Sequence, residues 1–261
     1  MPFPEYSTIG IVSNQSNAQY DSMVVKAQKR LSAGLTFLTT FTWSRTEDNE
    51  YGSGTSNAFN GFTGSTPPSQ PQNYYDLGAE WGLAAVDTPL RYTATFTYEL
   101  PFGHGKRMLN GSKYLDYAVG GWQVNATAIY QAGFPLFIFQ QNLNSVIGTG
   151  EQRPNATGIN PAMSGSVEQR LNGYINAAAF SLAPVFTFGN VSRSINYLGP
   201  GTKNWDASLF KDFRFKERFN GQFRAEALNL FNSPQFANPN TQLNGGSFGK
   251  IAYQTNLPRQ L

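Results

Sequence analysis

Leu90–Leu100, LRYTATFTYEL, constrains the fold of this chain more than any other stretch. Tyr92, Ala94, Phe96, Tyr98 and Leu100 fall on one parity, and Arg91, Thr93, Thr95, Thr97 and Glu99 on the other. Strict alternation is the period of a β-strand with one apolar and one polar face. Length narrows the choice further. A soluble strand usually ends after about five or six residues, whereas about 9–11 residues tilted near 45° cross a bilayer. A polar parity of threonines with one Arg and one Glu suits a wet lumen as well as a soluble surface, so other strands must decide.

The pattern recurs. In Tyr20–Leu31, Met23, Val25, Ala27 and Leu31 oppose Ser22, Lys26, Gln28 and Arg30. After the turn Ser32-Ala33-Gly34, the stretch Gly34–Asp48 sets Leu35, Phe37, Thr39, Phe41 and Trp43 against Thr36, Thr40, Thr42 and Ser44. The same reading predicts strands over Tyr75–Ala85, Gly121–Gln131, Asn204–Phe215 and Gly221–Phe231, and a shorter one near Pro135–Gln140. Lys29 and Lys211 interrupt the apolar parity close to turns, where a long side chain can snorkel towards water.

The expected connections alternate. Turns at 32–34, 86–89, 132–134 and 216–220 are tight, while 49–73, 101–120 and 141–202 are long and largely irregular. Short turns at one rim and long loops at the other are the layout of an outer-membrane barrel. The fold class expected is therefore all-β: an antiparallel transmembrane β-barrel segment of about eight amphipathic strands plus the start of a ninth. On the polar parity, Arg91, Glu99, Asp206, Asp212, Arg214, Arg224 and Glu226 are expected to form a lumen-facing network. Trp43, Trp81, Tyr98, Trp122, Tyr130 and Trp205 are expected at the membrane interfaces, where amphipathic rings gather.

Composition agrees. Of 261 residues only 13% are charged against 15% aromatic, where a soluble domain carries about 25% charged residues. Mean hydropathy is nonetheless negative, as it is when apolar residues are dispersed by alternation rather than gathered into a membrane helix. A net charge of +3 without a basic cluster argues against nucleic-acid binding. Met1-Pro-Phe-Pro-Glu5 has neither the basic nor the apolar region of a signal peptide. With no Cys and the single His104, neither a zinc site nor a familiar triad can be assembled. Gly103-His104-Gly105-Lys106 lacks phosphate-loop spacing. The carboxylate pairs Asp76/Glu80 and Asp206/Asp212 are better read as ion-pair partners of Arg91, Arg214 and Arg224 than as a glycosidase couple. No catalytic residue, cofactor or metal is expected.

Tyr20–Ser44 (YDSMVVKAQKRLSAGLTFLTTFTWS), Tyr98–Gly103 (YELPFG), Gly199–Phe213 (GPGTKNWDASLFKDF) and Phe223–Asn232 (FRAEALNLFN), with Pro234-Gln235-Phe236 after it, resemble the C-terminal barrel of Oar-like TonB-dependent outer-membrane transporters of acidobacterial type. The resemblance implies residence in the outer membrane of a Gram-negative bacterium and an external ligand of unspecified kind. It also implies, as partners, outer-membrane lipid and the remainder of the same receptor, whose plug would contact TonB. Residues 1–261 are then a partial barrel domain without plug or signal peptide. Pro258–Leu261 is similar to the start of the family's last strand. Two readings stay beside it: a self-contained eight-stranded barrel acting as adhesin or anchor, and a soluble secreted carbohydrate-binding β-protein.

Overall fold

The computed structural model describes residues 14–50, 70–103, 105–109, 118–141, 152–215 and 219–261, the side chains of 214, 215, 219 and 220 excepted. In chain order the strands are β1 (Ala18–Ser32), β2 (Leu35–Asp48), β3 (Gly82–Leu83), β4 (Leu90–Glu99), β5 (Trp122–Gln131), β6 (Pro135–Leu136), β7 (Asn155–Ala156), β8 (Phe180–Ser181), β9 (Ile195–Leu198), β10 (Thr202–Phe215) and β11 (Phe219–Ala227). Six of them are long, and they run as one antiparallel meander in the order β1-β2-β4-β5-β10-β11. Among the described residues β1 and β11 each have one neighbour, so the sheet does not close on itself.

The register carries the two-faced character of the opening stretch across the sheet. Phe37 faces Phe96, Phe96 faces Ala126, Ala126 faces Ala207, and Ala207 faces Ala227. One position along, Thr36, Thr97, Asn125, Ser208 and Glu226 make the corresponding polar row. A slip of one residue in any pair would swap its faces, so apolar alternation sets the register. The first hairpin turns through Ala33 and Gly34, at φ 53° and 79°. Two consecutive positive φ values are the type I′ geometry that matches strand twist. At Gly34 a Cβ would lie 2.7 Å from the Glu99 carbonyl, so the close approach of β4 also requires glycine.

Two expected spanning strands are absent, leaving six rather than eight. The Tyr75–Ala85 segment forms a 3-10 helix, Leu77–Glu80, capped by the Asp76 carboxylate, followed by the two residues of β3. The reason lies in β2. Its edge is taken by β4 from Leu35 to Trp43, so only Glu47 and Asp48 remain to pair with β3. The Pro135–Gln140 segment is not amphipathic in space: Leu136, Phe137 and Ile138 are 0%, 1% and 1% exposed, whatever their parity. Its pairing is broken up: β6 pairs with β9, while Phe139 and Gln140 make single bridges to Gln242 and Gln152.

Removing those strands reassigns a loop. The turn at 33–34, the connection 100–121 and the connection after Phe215 leave one end of the sheet, here the hairpin end. The segments 49–89, 132–201 and 228–261 leave the other, the cap end. The chain therefore leaves β2 and β4 at opposite ends of the sheet, not at the same end as expected, because one strand fewer separates the two connections.

The principal apolar core lies in the cap rather than in the sheet. Leu136, Ile138, Tyr174, Ile175, Ala179, Phe180, Val191 and Ile195 are buried together, and Tyr197, Leu243, Phe248 and Ile251 pack against them. Within the stretch 141–202, expected to be an irregular loop, residues 152–202 are thus a folded body. It contains β7 paired with β8 and a six-residue helix α1 (Val167–Asn172) with a Ser166/Gln169 capping box. The end of the chain joins it: Phe248 meets Phe180 edge to face at 6.1 Å, and Gln260 bridges antiparallel to Leu228.

Candidate functional site: the cap and its cleft

Two arginines fasten the cap to the sheet end. Asp48 closes β2 on the same parity as Thr36–Ser44, that is, on the polar face. The Arg193 guanidinium is 1% exposed. It binds the Asp48 carboxylate and the Glu50 carbonyl, and also donates to the Asp48 carbonyl at 2.9 Å. Phe137 lies under it, 5.7 Å from the guanidinium carbon to the ring centroid. The second tie is Arg153 Nη1 to Glu80 Oε2 at 2.7 Å, with side chains 5% and 1% exposed. Glu80 also accepts from the Gln72 backbone N–H at 3.1 Å. Burying such ions is tolerable only when each charge is matched; here both guanidinium groups are paired through their terminal nitrogens, while the buried Nε of each has no hydrogen-bond partner among the described residues.

Gln72 closes the arrangement. Its Oε1 accepts from the Arg153 N–H at 2.8 Å, and its Nε2 donates to the Gly189 carbonyl at 3.0 Å. Segments 70–80, 152–153 and 188–192 are thereby held apart at fixed spacing, leaving a cleft of about 230 Å³. Gln72, Asn73, Asp76, Arg153, Phe188 and Asn190 contribute to its walls. Gly189 is obligatory there, since a Cβ would fall 1.9 Å from the Arg153 carbonyl. The Asn73 side-chain oxygen accepts from the Tyr75 N–H and that of Asn190 from the Ala156 N–H. Among the described residues no group takes a hydrogen bond from either carboxamide NH2. The cleft therefore offers amide donors, the outer oxygen of Asp76 and the 42%-exposed ring of Phe188, while its buried charges cancel behind the wall.

Burial also moves two protonation equilibria in the cap. The Asp87 carboxyl is raised above its ordinary range by desolvation, which outweighs the Thr46 N–H that it accepts at 2.6 Å. The Tyr174 hydroxyl is pushed up to about 12, chiefly by burial and then by Tyr197 beside it. Those rings stack at 5.1 Å, and Tyr174 Oη donates to the Leu198 carbonyl at 2.9 Å.

Of the residues expected to line a lumen, Arg91, Glu99, Asp206, Asp212, Arg224 and Glu226 have described side chains, and these do not form one network. Glu99 pairs with Lys106 at 2.6 Å, across the hairpin-end connection. Asp206 holds the Asn229 N–H at 2.8 Å and the Asn204 amide at 3.0 Å. Asp212 accepts from Gln222 at 2.9 Å, and Arg224 lies 3.6 Å from Glu226 with both half-exposed. Arg91 is exposed and has no ion pair among the described residues, and the Arg214 side chain lies outside them. The register explains the scatter: Arg91 is level with Gln131, and Asp206 with Thr127, several residues apart along the strands. The carboxylate pairs dissolve for the same reason, with Asp76 capping a helix turn and Glu80 turned to Arg153. His104 lies outside the described residues.

The aromatics divide into two bands on the apolar face. Tyr92, Tyr130, Trp205 and Phe231 follow one another at 6.2, 6.4 and 6.0 Å near the cap end, with Trp205 Nε1 donating to Tyr130 Oη at 2.7 Å. Trp43, opposite Leu90, extends this band. Tyr98 and Trp122 mark the hairpin end, where Phe223 meets Trp122 at 6.5 Å. The eight steps from Trp122 to Tyr130 span about 27 Å along the strand at about 3.4 Å per residue. Trp81 belongs to neither band, because its segment is not a sheet-spanning strand. Lys211 does not snorkel. It is 4% exposed, donates to the Ala118 and Gly120 carbonyls at 3.0 and 2.7 Å, and lies 4.8 Å from the Trp122 ring centroid.

Arg153, Arg193, Gln72 and Phe188 were not singled out from sequence, and Asn190 stands out there only as the start of a chance Asn-Val-Ser sequon. They sit in stretches without periodicity, and nothing local marks an arginine whose partner lies 73 or 145 residues away. Among the described residues no cluster of His, Cys, Asp and Glu could hold a metal. A model of the outer membrane beta barrel domain family matches residues 1–261. No curated protein and no solved structure matches the chain.

Proposed function

Because the chain belongs to the outer membrane beta barrel domain family, and so resides in the outer membrane of a Gram-negative bacterium, we propose that it forms the wall and ligand-capturing cap of a TonB-dependent transporter of the Oar-like type. The observation that carries this reading is the packed cap at one rim of the sheet, tied by Arg193 to the polar-face residue Asp48. An adhesin or anchor needs loops at its outer rim. A receptor needs loops that hold a shape, and a cap with its own buried core and two buried ion pairs supplies one. The family-like motifs support it: Gly199–Phe213 covers most of β10, and Phe223–Asn232 covers most of β11 and the turn after it.

In this reading the apolar face with its two aromatic bands meets lipid, and the Thr-rich face lines the lumen. The cap end faces outward, since long excursions belong to the outer rim and short turns to the periplasmic one. The free edges of β1 and β11 pair with further strands of the receptor, because bilayer hydrocarbon does not admit an open edge. Energy from TonB enters through a plug supplied by the rest of the receptor. The role is binding and passage, not catalysis. The test is a chromosomal deletion of residues 152–192 compared with a strain lacking TonB, scored by growth on a panel of scarce nutrients. Loss of the same nutrient in both strains is expected. Uptake that survives removal of TonB would overturn the proposal.

A further inference from the structure

We infer that the lipid-facing side of the cap end binds a phosphorylated lipid of the outer leaflet, through Lys203 and Arg259 beside the Trp205–Phe231 pair. The inference takes from the receptor reading above only the outward orientation of the cap end, and does not depend on transport. Placement and charge together carry it.

Lys203 shares the apolar parity of β10 with Trp205, two residues nearer the cap, and stands opposite Tyr130. Arg259 reaches the same rim from the end of the chain. Gln260 bridges Leu228, which continues the polar parity of β11, so alternation turns Arg259 to the apolar side. Its Nη1 lies 3.4 Å from the Leu230 carbonyl, and the Leu230 N–H donates to the Trp205 carbonyl at 2.7 Å. The segment bearing Arg259 is thus two strand spacings from β10, about 10 Å. The edge-to-face pair of Trp205 and Phe231 lies beside both cations, its ring centroids 6.0 Å apart.

Both side chains are exposed, and among the described residues neither makes an ion pair. The nearest acid along β10, Asp206, is on the polar parity and holds the Asn229 N–H. Asp21, Arg45 and Glu47 share the apolar parity at this end, but on β1 and β2, and Arg45 is paired with Glu47. From β2 to β10 is three strand spacings, about 14 Å. Two positive charges therefore remain at the depth where aromatic rings mark the headgroup layer. Lys and Arg lay their stems along apolar surface and hold the charge in the polar layer. Phosphate is an anion both recognise, Arg as a fork and Lys as a point charge. Phe231 and Leu257, 65% and 67% exposed, offer apolar surface for an acyl chain to cover. Free phosphate would leave that surface in water, and salt screens its attraction to exposed cations.

The experiment titrates the complete receptor, in nonionic detergent, with lipid A carrying its phosphates, with the same lipid stripped of them, and with inorganic phosphate. Bound lipid is counted by native mass spectrometry, and heat-modifiable migration checks that each variant is folded. The phosphorylated lipid should bind in preference to the stripped one. Lys203→Gln and Arg259→Gln should each weaken it about fivefold, the contribution of one basic residue near a charged membrane surface. Lys203→Arg should retain binding. Lys26→Gln removes the same charge from the polar face of β1, opposite Thr40, and should change nothing. Equal binding of the stripped lipid would overturn the inference, as would folded variants that bind like the native chain. An equal loss in Lys26→Gln, or displacement of the lipid by inorganic phosphate, would overturn it too. Uptake that requires TonB while these variants leave lipid binding untouched would sink only this inference; lipid binding as expected with no TonB requirement would sink only the transporter reading.

Discussion

Replacing Glu80 by Gln should detach the cap while leaving the sheet intact. The substitution preserves shape, but its single oxygen can accept from only one of the two donors, Gln72 N–H and Arg153 Nη1, which lie 3.1 and 2.7 Å from separate oxygens of the carboxylate. What it removes is the charge that compensates Arg153, whose side chain is 5% exposed. An uncompensated buried ion costs about 3–5 kcal/mol. At about 1.4 kcal/mol per tenfold, local opening of the cap should rise between one hundredfold and a few thousandfold. Hydrogen exchange in detergent micelles reads this directly, because exchange from a locally opened region tracks its opening free energy. The amides to watch are Arg153, held by Gln72 Oε1, and Val191, held by the Pro154 carbonyl. Amides between β4 and β5 should be unchanged. The double variant Glu80→Met, Arg153→Met removes both charges at similar volume, and should recover most of the loss. Wild-type exchange at Arg153 and Val191 in Glu80→Gln would refute the reasoning. So would a double variant as loose as the single one.

Four further outcomes follow from the same geometry. Lys211→Met should free residues 118–121, since each charge-assisted bond to the Ala118 and Gly120 carbonyls contributes about 1.5–3 kcal/mol; faster exchange there, with heat-modifiable migration of the sheet unchanged, is the expected pattern. Gly34→Ala, at φ 79° with its Cβ 2.7 Å from the Glu99 carbonyl, should cost at least about 1–2 kcal/mol and lower the temperature at which the band shifts on gels. The Tyr174 hydroxyl keeps its proton to about pH 12 when folded, against an ordinary value of 10.0. Cap stability from this group is therefore full below pH 10.0 and falls as pH rises towards 12, and urea titrations should show that fall in the native chain but not in Tyr174→Phe. Asp87 has the opposite sense for a carboxylate: its folded pKa is raised, so its charge costs stability above that value and the cost vanishes as pH falls through it. Asp87→Asn should be more stable than the native chain at neutral pH in the same titrations, and should lose the gain on acidification.

Much of the sheet was legible from local pattern. Leu90–Leu100, Gly34–Asp48 and Asn204–Phe215 alternate over more residues than a soluble strand needs, and each became a long strand with its parities divided as read. Tyr75–Ala85 alternates as well and did not, because alternation says that a segment can form a strand, not that a neighbour's edge is free to receive it. Lys211 looked like the weak point of its strand, and its partners are carbonyls of a connection whose position no periodicity reports. Parity assigns the charges of the polar face to one side of the sheet, but not to one network, since height along the strand depends on register.

The amino-acid sequence by itself determined the two-faced strands and the tight hairpin turn, because each follows from side-chain period and backbone conformation over a few neighbouring residues. The tertiary structure alone decided which candidate strands pair, which connections share a rim, and that the long excursion is a folded cap with a cleft. Those features rest on contacts such as Asp48–Arg193 and Glu80–Arg153, between residues 145 and 73 positions apart. Their energy comes from burying matched charges and a shared apolar core, which no local stretch of chain contains.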